Sequence, residues 1–202
     1  MFILHSMRST ICIFIMILVL FNYSFGLSSK KKETIIIRTE LGDIYASLDL
    51  KKAPVTSLNF LRYIDSRMFD STCFYRVVRL DNQPRDLFKI EVIQGGRYEN
   101  KDKEFPPIAH ETTRMTGIKH KDGTISMARN GPGTATSEFF ICVGDQPELD
   151  FSGKRNPDRQ GFAAFGKVIK GMNVVRKIHS ITADGQYLQK PVLILEITRA
   201  GK

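Results

Sequence analysis

Four histidines (His5, His110, His120 and His179) and three cysteines (Cys12, Cys73 and Cys142) are the side chains of this 202-residue sequence best suited to metal, proton-transfer or thiol chemistry. No histidine has a second ligand at metal spacing, and no cysteine lies in a C-x-x-C. The sequence contains no G-x-S-x-G, H-E-x-x-H, Walker A or G-x-G-x-x-G segment. Nucleophilic, metal and nucleotide chemistry therefore have no basis in it, and neither a metal nor a cofactor is expected. Non-covalent chemistry is left. Arg76 sits in the apolar run Phe74-Tyr75-Arg76-Val77-Val78, Gln94 stands before Gly95-Gly96, and Phe140 lies in Phe139-Phe140-Ile141. Taken singly, each has an ordinary explanation: a solvated charge, a turn cap, a core aromatic.

Taken in order, they form a pattern. Phe74-Tyr75-Arg76-Val77 resembles the F-H-R-[VI] strand of cyclophilins, and Ile93-Gln94-Gly95-Gly96 matches their I-Q-G-G. Gly123 to Ala128 matches G-x-[IL]-S-M-A, and Ser137 to Ile141 resembles S-Q-F-F-I. Phe165-Gly166-Lys167-Val168 and Gly171-Met172 match F-G-x-V and G-M, and Ala53-Pro54-Val55-Thr56 with Asn59-Phe60 matches A-P-x-T…N-F. The resemblance runs from about Thr34 to Arg199. It implies a mainly β fold, a closed eight-stranded antiparallel barrel capped by two α-helices, and peptidyl-prolyl cis/trans isomerase activity.

The resemblance assigns catalysis to Arg76, with Gln94 holding the substrate backbone and Phe140 flooring an apolar proline pocket. Val92, Leu149, Ala128 and Phe162 line that pocket, and Arg129 and Glu138 complete the expected substrate-binding set. Amide rotation costs roughly 18–20 kcal/mol because resonance is lost. A guanidinium that donates to the proline nitrogen of the twisted amide favours that state without covalent chemistry.

The departures from the family pattern concentrate at the pocket. Glu91 and Val92 replace the residues before I-Q-G-G, and Arg129 and Glu138 replace an asparagine and a glutamine. Glu148 stands where the family has a tryptophan, and Phe162 where it has a histidine. Segments 80–89 and 153–159 are insertions. The carboxylates at 91 and 148 predict a rim that favours basic peptides, and Glu138 is expected to pair with Arg76 or Arg129. Loss of the tryptophan predicts weak cyclosporin binding. The alternative reading is a proline-peptide binding or chaperone module with little turnover.

Behind these residues the hydrophobic pattern supplies the elements. Strands are expected at 34–39, 44–48, 73–78, 90–94, 124–128, 138–143, 162–169 and 192–199. A helix opening at Pro54, with Val55, Leu58, Leu61 and Ile64 on one face, and a second at 172–178 complete the set. The connection from Gly95 to Gly123 has little periodicity.

Ahead of this domain (34–200), Arg8, an apolar run from Ile11 to Phe21 and Ser24-Phe25-Gly26 have the order of a secretory signal peptide over 1–26. The run is short for a membrane span, but an uncleaved anchor is the competing reading, and the only one that puts the chain on a membrane. Residues 27–33 read as a basic linker. Export to a periplasm or medium follows, where Cys73 and Cys142 are either one disulfide or two buried thiols. Net charge is +9, but the basic residues are scattered without an aromatic run, so no nucleic-acid partner is expected. The expected partners are unfolded or extended polypeptides containing proline, and the expected state is a monomer.

Overall fold

The computed structural model describes residues 31–98 and 104–201. The leader assigned to 1–26, and the linker as far as residue 30, lie outside the described residues.

β-branched residues start the sheet. In β1 (Lys32–Thr39), Ile35 and Ile37 are buried and alternate with partly exposed neighbours, the period of a strand with one face on a core. The strand begins two residues inside the expected linker, because Lys32 pairs with Asp49 and Glu33 with Leu48 of β2 (Gly42–Asp49). The other strands are β3 (Thr72–Val78), β4 (Val92–Gly96), β5 (Thr124–Met127), β6 (Phe139–Cys142), β7 (Ala163–Lys170), β8 (Ala183–Asp184) and β9 (Tyr187–Arg199). Their lateral order is β1-β2-β7-β5-β6-β4-β3-β9, and β9 pairs back onto β1. Eight antiparallel strands thus close a barrel, and the two-residue β8 is a short arm on β9.

β9 starts five residues earlier than the sequence suggests. Pro191 argues against a ladder, since it has no N–H to give. The β3–β9 register absorbs it: Phe74 faces Val192 while Arg76 faces Tyr187, so Pro191 falls in an irregular stretch. β4 is shifted in the opposite sense, because Ile90 leaves the ladder to bond the Gln83 amide through its N–H and carbonyl.

Helix α1 (Pro54–Asp65) covers one end of the barrel with part of the expected face, Leu61 and Ile64, while the other part is turned outward. Val55 is 41% and Leu58 56% exposed, whereas Phe60, Leu61, Tyr63 and Ile64 are buried. Glu111 sets that rotation. Its carboxylate accepts from the N–H groups of Val55 (3.2 Å) and Thr56 (2.8 Å) and from the Thr56 hydroxyl (2.7 Å), satisfying helix N-terminal donors. Asn59 donates to Thr136 O (2.7 Å). Phe60 then packs within 4.8–5.2 Å, centre to centre, of Phe69, Phe139 and Phe165. Two further helices are present: the short α2 (Thr113–Thr116), inside the connection of little periodicity, and α3 (Met172–His179).

Cys73 and Cys142 form no disulfide. Cys73 faces Gly96 and Cys142 faces Val92, at opposite ends of β4. Four residues along a strand is about 13 Å, beyond the reach of an S–S bond.

Candidate active site

Strand alternation divides the apolar residues into two clusters. Phe139 and Ile141 of β6 and Ile93 of β4 belong to the barrel interior; Phe140, Cys142 and Val92 belong to a second cluster with Val78, Ile90 and Leu149. The second cluster lies on the outer face and floors the site.

The register assembles the row. Arg76 on β3 faces Gln94 on β4, Gln94 faces Phe140 on β6, and Phe140 faces Ser126 on β5. Directly opposed residues share a face, so residues far apart in sequence stand side by side. Arg76 Nη1 donates to Gln94 Oε1 at 2.7 Å. A β-bulge makes Tyr75 the extra residue of β3, because Phe74 faces Gly95 and Arg76 faces Gln94. Tyr75 donates its hydroxyl to Glu138, and Gln94 Nε2 donates to that hydroxyl at 2.7 Å. Burial first, then the Glu138 carboxylate, hold the Tyr75 phenol protonated far above its ordinary range. The Gly-Gly pair is needed here. A Cβ on Gly95 would lie 2.7 Å from Cys73 O; Gly96 has φ +137°, and a Cβ there would lie 2.9 Å from the Glu138 carboxylate and from Ser137 O.

The pocket beside this row has a volume of about 190 Å³. Its apolar lining is Ile90, Val92, Ala128, Phe140, Leu149 and Phe162; its polar lining is Arg76, Gln94, Arg129, Arg155 and Asn156. The Phe140 ring meets Phe162 edge-on (5.3 Å, 89°) and stacks over His120 (6.0 Å). His120 is fixed in turn by Asp150 Oδ1 at Nδ1 (2.9 Å) and by Ser126 Oγ at Nε2 (3.0 Å). Since a carboxylate only accepts, Nδ1 carries the proton and Nε2 accepts from Ser126. Burial lowers the His120 pKa, against the opposing pull of Asp150, and keeps the ring neutral near pH 7. His120 and Ser126 are buried and Asp150 is partly exposed, and together they support the floor.

A second cavity of about 300 Å³ adjoins the first and shares Arg76, Gln94, Ala128 and Arg129 with it. It adds Tyr75, Tyr98, Glu104, Glu138, Gln186 and Tyr187. The proposed substrate residues are therefore gathered at one place, divided between two cavities: Glu138 lines the second, the others the first.

Two expectations about charge do not hold, the pairing of Glu138 with Arg76 or Arg129 and the acidic rim. Glu138 bonds Tyr75 and Gln94 rather than an arginine. Arg129 turns away to a two-pronged pair with Asp158 (2.8 Å each) and to Gly161 O, over the Phe162 ring. Glu91 and Glu148 line neither cavity, and Glu148 accepts from the backbone N–H of Lys154 at 2.7 Å. The smaller pocket is edged by three arginines and no carboxylate.

Sequence reasoning missed Gln186, whose Oε1 accepts from Arg76 Nε (3.0 Å) and Nη2. It lies in the turn between β8 and β9, where no motif marks it. It also missed His120 and Asp150 under the floor, and Ile90, Arg155 and Asn156 in the wall. The last two lie in an insertion it had noted. Burial, chiefly, lowers the Arg76 pKa, with Arg155 contributing; an arginine remains charged even so. No cluster of side chains suited to a metal occurs among the described residues.

The comparisons agree with this geometry. The family model for cyclophilin type peptidyl-prolyl cis-trans isomerases matches residues 34–199. A peptidyl-prolyl cis-trans isomerase A from Dickeya dadantii is 37% identical over 169 residues, 79% of this chain and 80% of that one. Isomerase B of Escherichia coli is 35% identical over 162 residues, 78% and 91% of the two chains. A crystal structure of a Cryptosporidium parvum cyclophilin type isomerase superposes with a TM-score of 0.65 at 22% identity, covering 85% of this chain and 99% of that one. The barrel, the outer-face row and the match across the whole domain lead to one assignment: this chain belongs to the cyclophilin-type family of peptidyl-prolyl cis-trans isomerases.

Proposed function

We propose that this protein accelerates X-Pro rotation in exported polypeptides, with Arg76 stabilising the twisted amide over the apolar floor at Phe140. The supporting observation is the setting of Arg76. Its guanidinium is held by the neutral amides of Gln94 and Gln186 beside a small apolar pocket. Such a charge is oriented without being neutralised. As the amide twists, the proline nitrogen regains a lone pair, and an N–H aimed at it discourages the return of resonance. Nothing is broken and no proton moves, so no acid–base pair is required. A hydrogen bond to a charged group is worth roughly 1.5–3 kcal/mol, which is about tenfold to a hundredfold in rate. The apolar pocket and the backbone contact at Gln94 supply the rest by favouring the twisted substrate over either planar form. A C. parvum relative has been crystallised in the presence of the dipeptide Ala-Pro, a ligand that suits a pocket of this size and apolarity.

The test is a cis/trans exchange assay on proline tetrapeptides. Arg76→Ala should lose at least tenfold in kcat/KM with its fold intact. Wild-type activity retained in Arg76→Ala overturns the role of Arg76, and binding without turnover by the wild type favours a binding module. Export rests on the order of charge, apolar run and small residues in 1–26. N-terminal sequencing of the protein from fractionated cells should find a start after Gly26 outside the cytoplasm. Intact chain in the membrane fraction would make the leader an anchor, and intact chain in the cytosol would refute export.

A further inference from the structure

The two insertions meet at the edge of the proline pocket. From the second, Arg155 Nη1 donates to Gln83 Oε1 (2.8 Å) and Phe88 O (3.0 Å) of the first, and lies 3.2 Å from the Asp86 carboxylate. Lys154 sits over the Phe88 ring, 5.2 Å from its centre. Gln83 is 1% exposed, and its amide also binds Arg79 O and both backbone groups of Ile90. The wall is therefore fixed to the barrel through Ile90, the residue that leads into β4.

This clasp leaves hydrogen-bond donors unused on the pocket side. Every side-chain hydrogen bond and ion pair of Arg155 runs through Nη1, so its Nε and Nη2 edge has no protein partner among the described residues. Asn156, the next residue, has its amide nitrogen buried and without a partner. Both residues line the proline pocket. A buried amide donor without a partner is unfavourable, so Asn156 calls for an acceptor from outside the chain, and the Arg155 edge beside it in the same pocket adds a guanidinium to which that acceptor can bind. The charges indicate its sign. Arg129 is matched by Asp158 and Arg155 by Asp86, while Arg76 has only neutral hydrogen-bond partners, and no carboxylate lines the pocket. The pocket therefore carries a net positive charge.

We infer that Arg155 and Asn156 form a carboxylate-binding subsite at the rim of the proline pocket, which selects peptides carrying a carboxylate next to proline. A guanidinium edge and an amide N–H match the two oxygens of that group. The carboxylate is either an Asp or Glu side chain beside the proline or the chain terminus of a C-terminal proline. The inference deepens the isomerase reading and rests on the same pocket being the proline site. It reverses the preference for basic peptides expected from the sequence.

The test measures peptide affinity by NMR titration of the purified protein, with turnover of a neutral peptide followed in parallel. The peptides carry Glu, Ala or Lys on either side of proline, or end in proline as free acid or amide. Wild type should bind a carboxylate-bearing peptide at least fivefold more tightly than its Lys or amide counterpart at low salt, with the ratio shrinking in 0.5 M salt. Preference for an acidic neighbour, or for the free-acid terminus, identifies the source of the carboxylate. In Asn156→Ala and in Arg155→Met the ratio should fall to within twofold. A ratio is internal to each variant, so partial loss of folded protein does not mimic the effect. Wild-type ratios within twofold for every pair, or a preference unchanged in both variants, would overturn the subsite. Charge selection in affinity without neutral-peptide turnover would instead sink the isomerase reading alone.

Discussion

Truncating Gln186 to alanine removes the larger part of what orients Arg76. Gln186 Oε1 accepts from Nε at 3.0 Å and from Nη2, while Gln94 holds only Nη1. The Gln186 amide is anchored in turn, donating to Asn82 O at 3.2 Å, and its backbone carbonyl accepts from Val77 N at 2.8 Å. Bonds to a charged group are worth roughly 1.5–3 kcal/mol each, so two bonds set an upper limit near 3–6 kcal/mol. Water reduces that figure, because Gln186 lines the larger, open cavity and solvent can take its place. What water does not restore is direction. A loss of about 1–2 kcal/mol remains, a decrease of about 5- to 30-fold in kcat/KM. The assay is the proline-peptide exchange rate for wild type, Gln186→Ala, Arg76→Ala and the double variant. If Gln186 acts only through Arg76, its removal costs nothing further in the Arg76→Ala background. A change below twofold in the single variant, or the same fold-loss in both backgrounds, refutes the reasoning.

Two further predictions concern the floor and the rim. Burial lowers the His120 pKa, so the unfolded chain takes up a proton before the folded one does. Stability is therefore complete above the ordinary histidine value of 6.5 and falls as pH drops below it. The thermal midpoint should decline between pH 6.5 and 4.5, above the range where carboxylates such as Asp150 protonate, and His120→Gln should flatten that decline. Burial shifts His110 the same way, so some slope persists in the variant, and an unchanged slope counts against His120. At the rim, cyclosporin should bind weakly, because the position at Glu148 offers a carboxylate turned onto Lys154 N instead of an indole. A titration showing affinity equal to that of a tryptophan-bearing relative would refute this.

The row Arg76–Gln94–Phe140 was legible because two independent regularities point to it. Motif order supplies the residues, and strand alternation puts Phe139 and Ile141 inside and Phe140 outside. Val92, Ala128, Leu149 and Phe162 follow for the same reason. What escaped depends on register and local backbone. Tyr75 reaches Glu138 only because a bulge makes it the extra residue of β3, and nothing in Phe-Tyr-Arg announces a bulge. The separation of Cys73 from Cys142 is set by pairings on the two sides of β4, which spacing along the chain does not encode. The early start of β9 escaped because Pro191 is compatible with the strand only through the irregular β3–β9 register. The orientation of α1 depends on Glu111, more than fifty residues away, so the apolar periodicity of the helix placed Leu61 and Ile64 correctly and Val55 and Leu58 wrongly.

The polarity of the pocket follows from its insertions rather than its substitutions. Reading single positions gives an acidic rim, since Glu91, Glu138 and Glu148 all replace residues without negative charge. Each carboxylate has a local fate, however: Glu148 bonds a backbone N–H, Glu138 bonds Tyr75 and Gln94 on the neighbouring cavity, and Glu91 lines neither cavity. The Glu148 partner is a backbone N–H six residues on, which costs little chain entropy to reach; the Glu138 partners come from neighbouring strands that the sheet has already brought beside it. The arginines have the opposite geometry. Arg155 reaches across to the other insertion, and its long side chain delivers charge to a pocket edge that no residue of the barrel itself supplies. A substitution changes the charge at one point, whereas a clasped pair of insertions builds a wall and decides what that wall displays. The substrate preference of this chain should therefore track segments 80–89 and 153–159, and exchanging both together should move it further than reverting Glu91, Glu138 and Glu148.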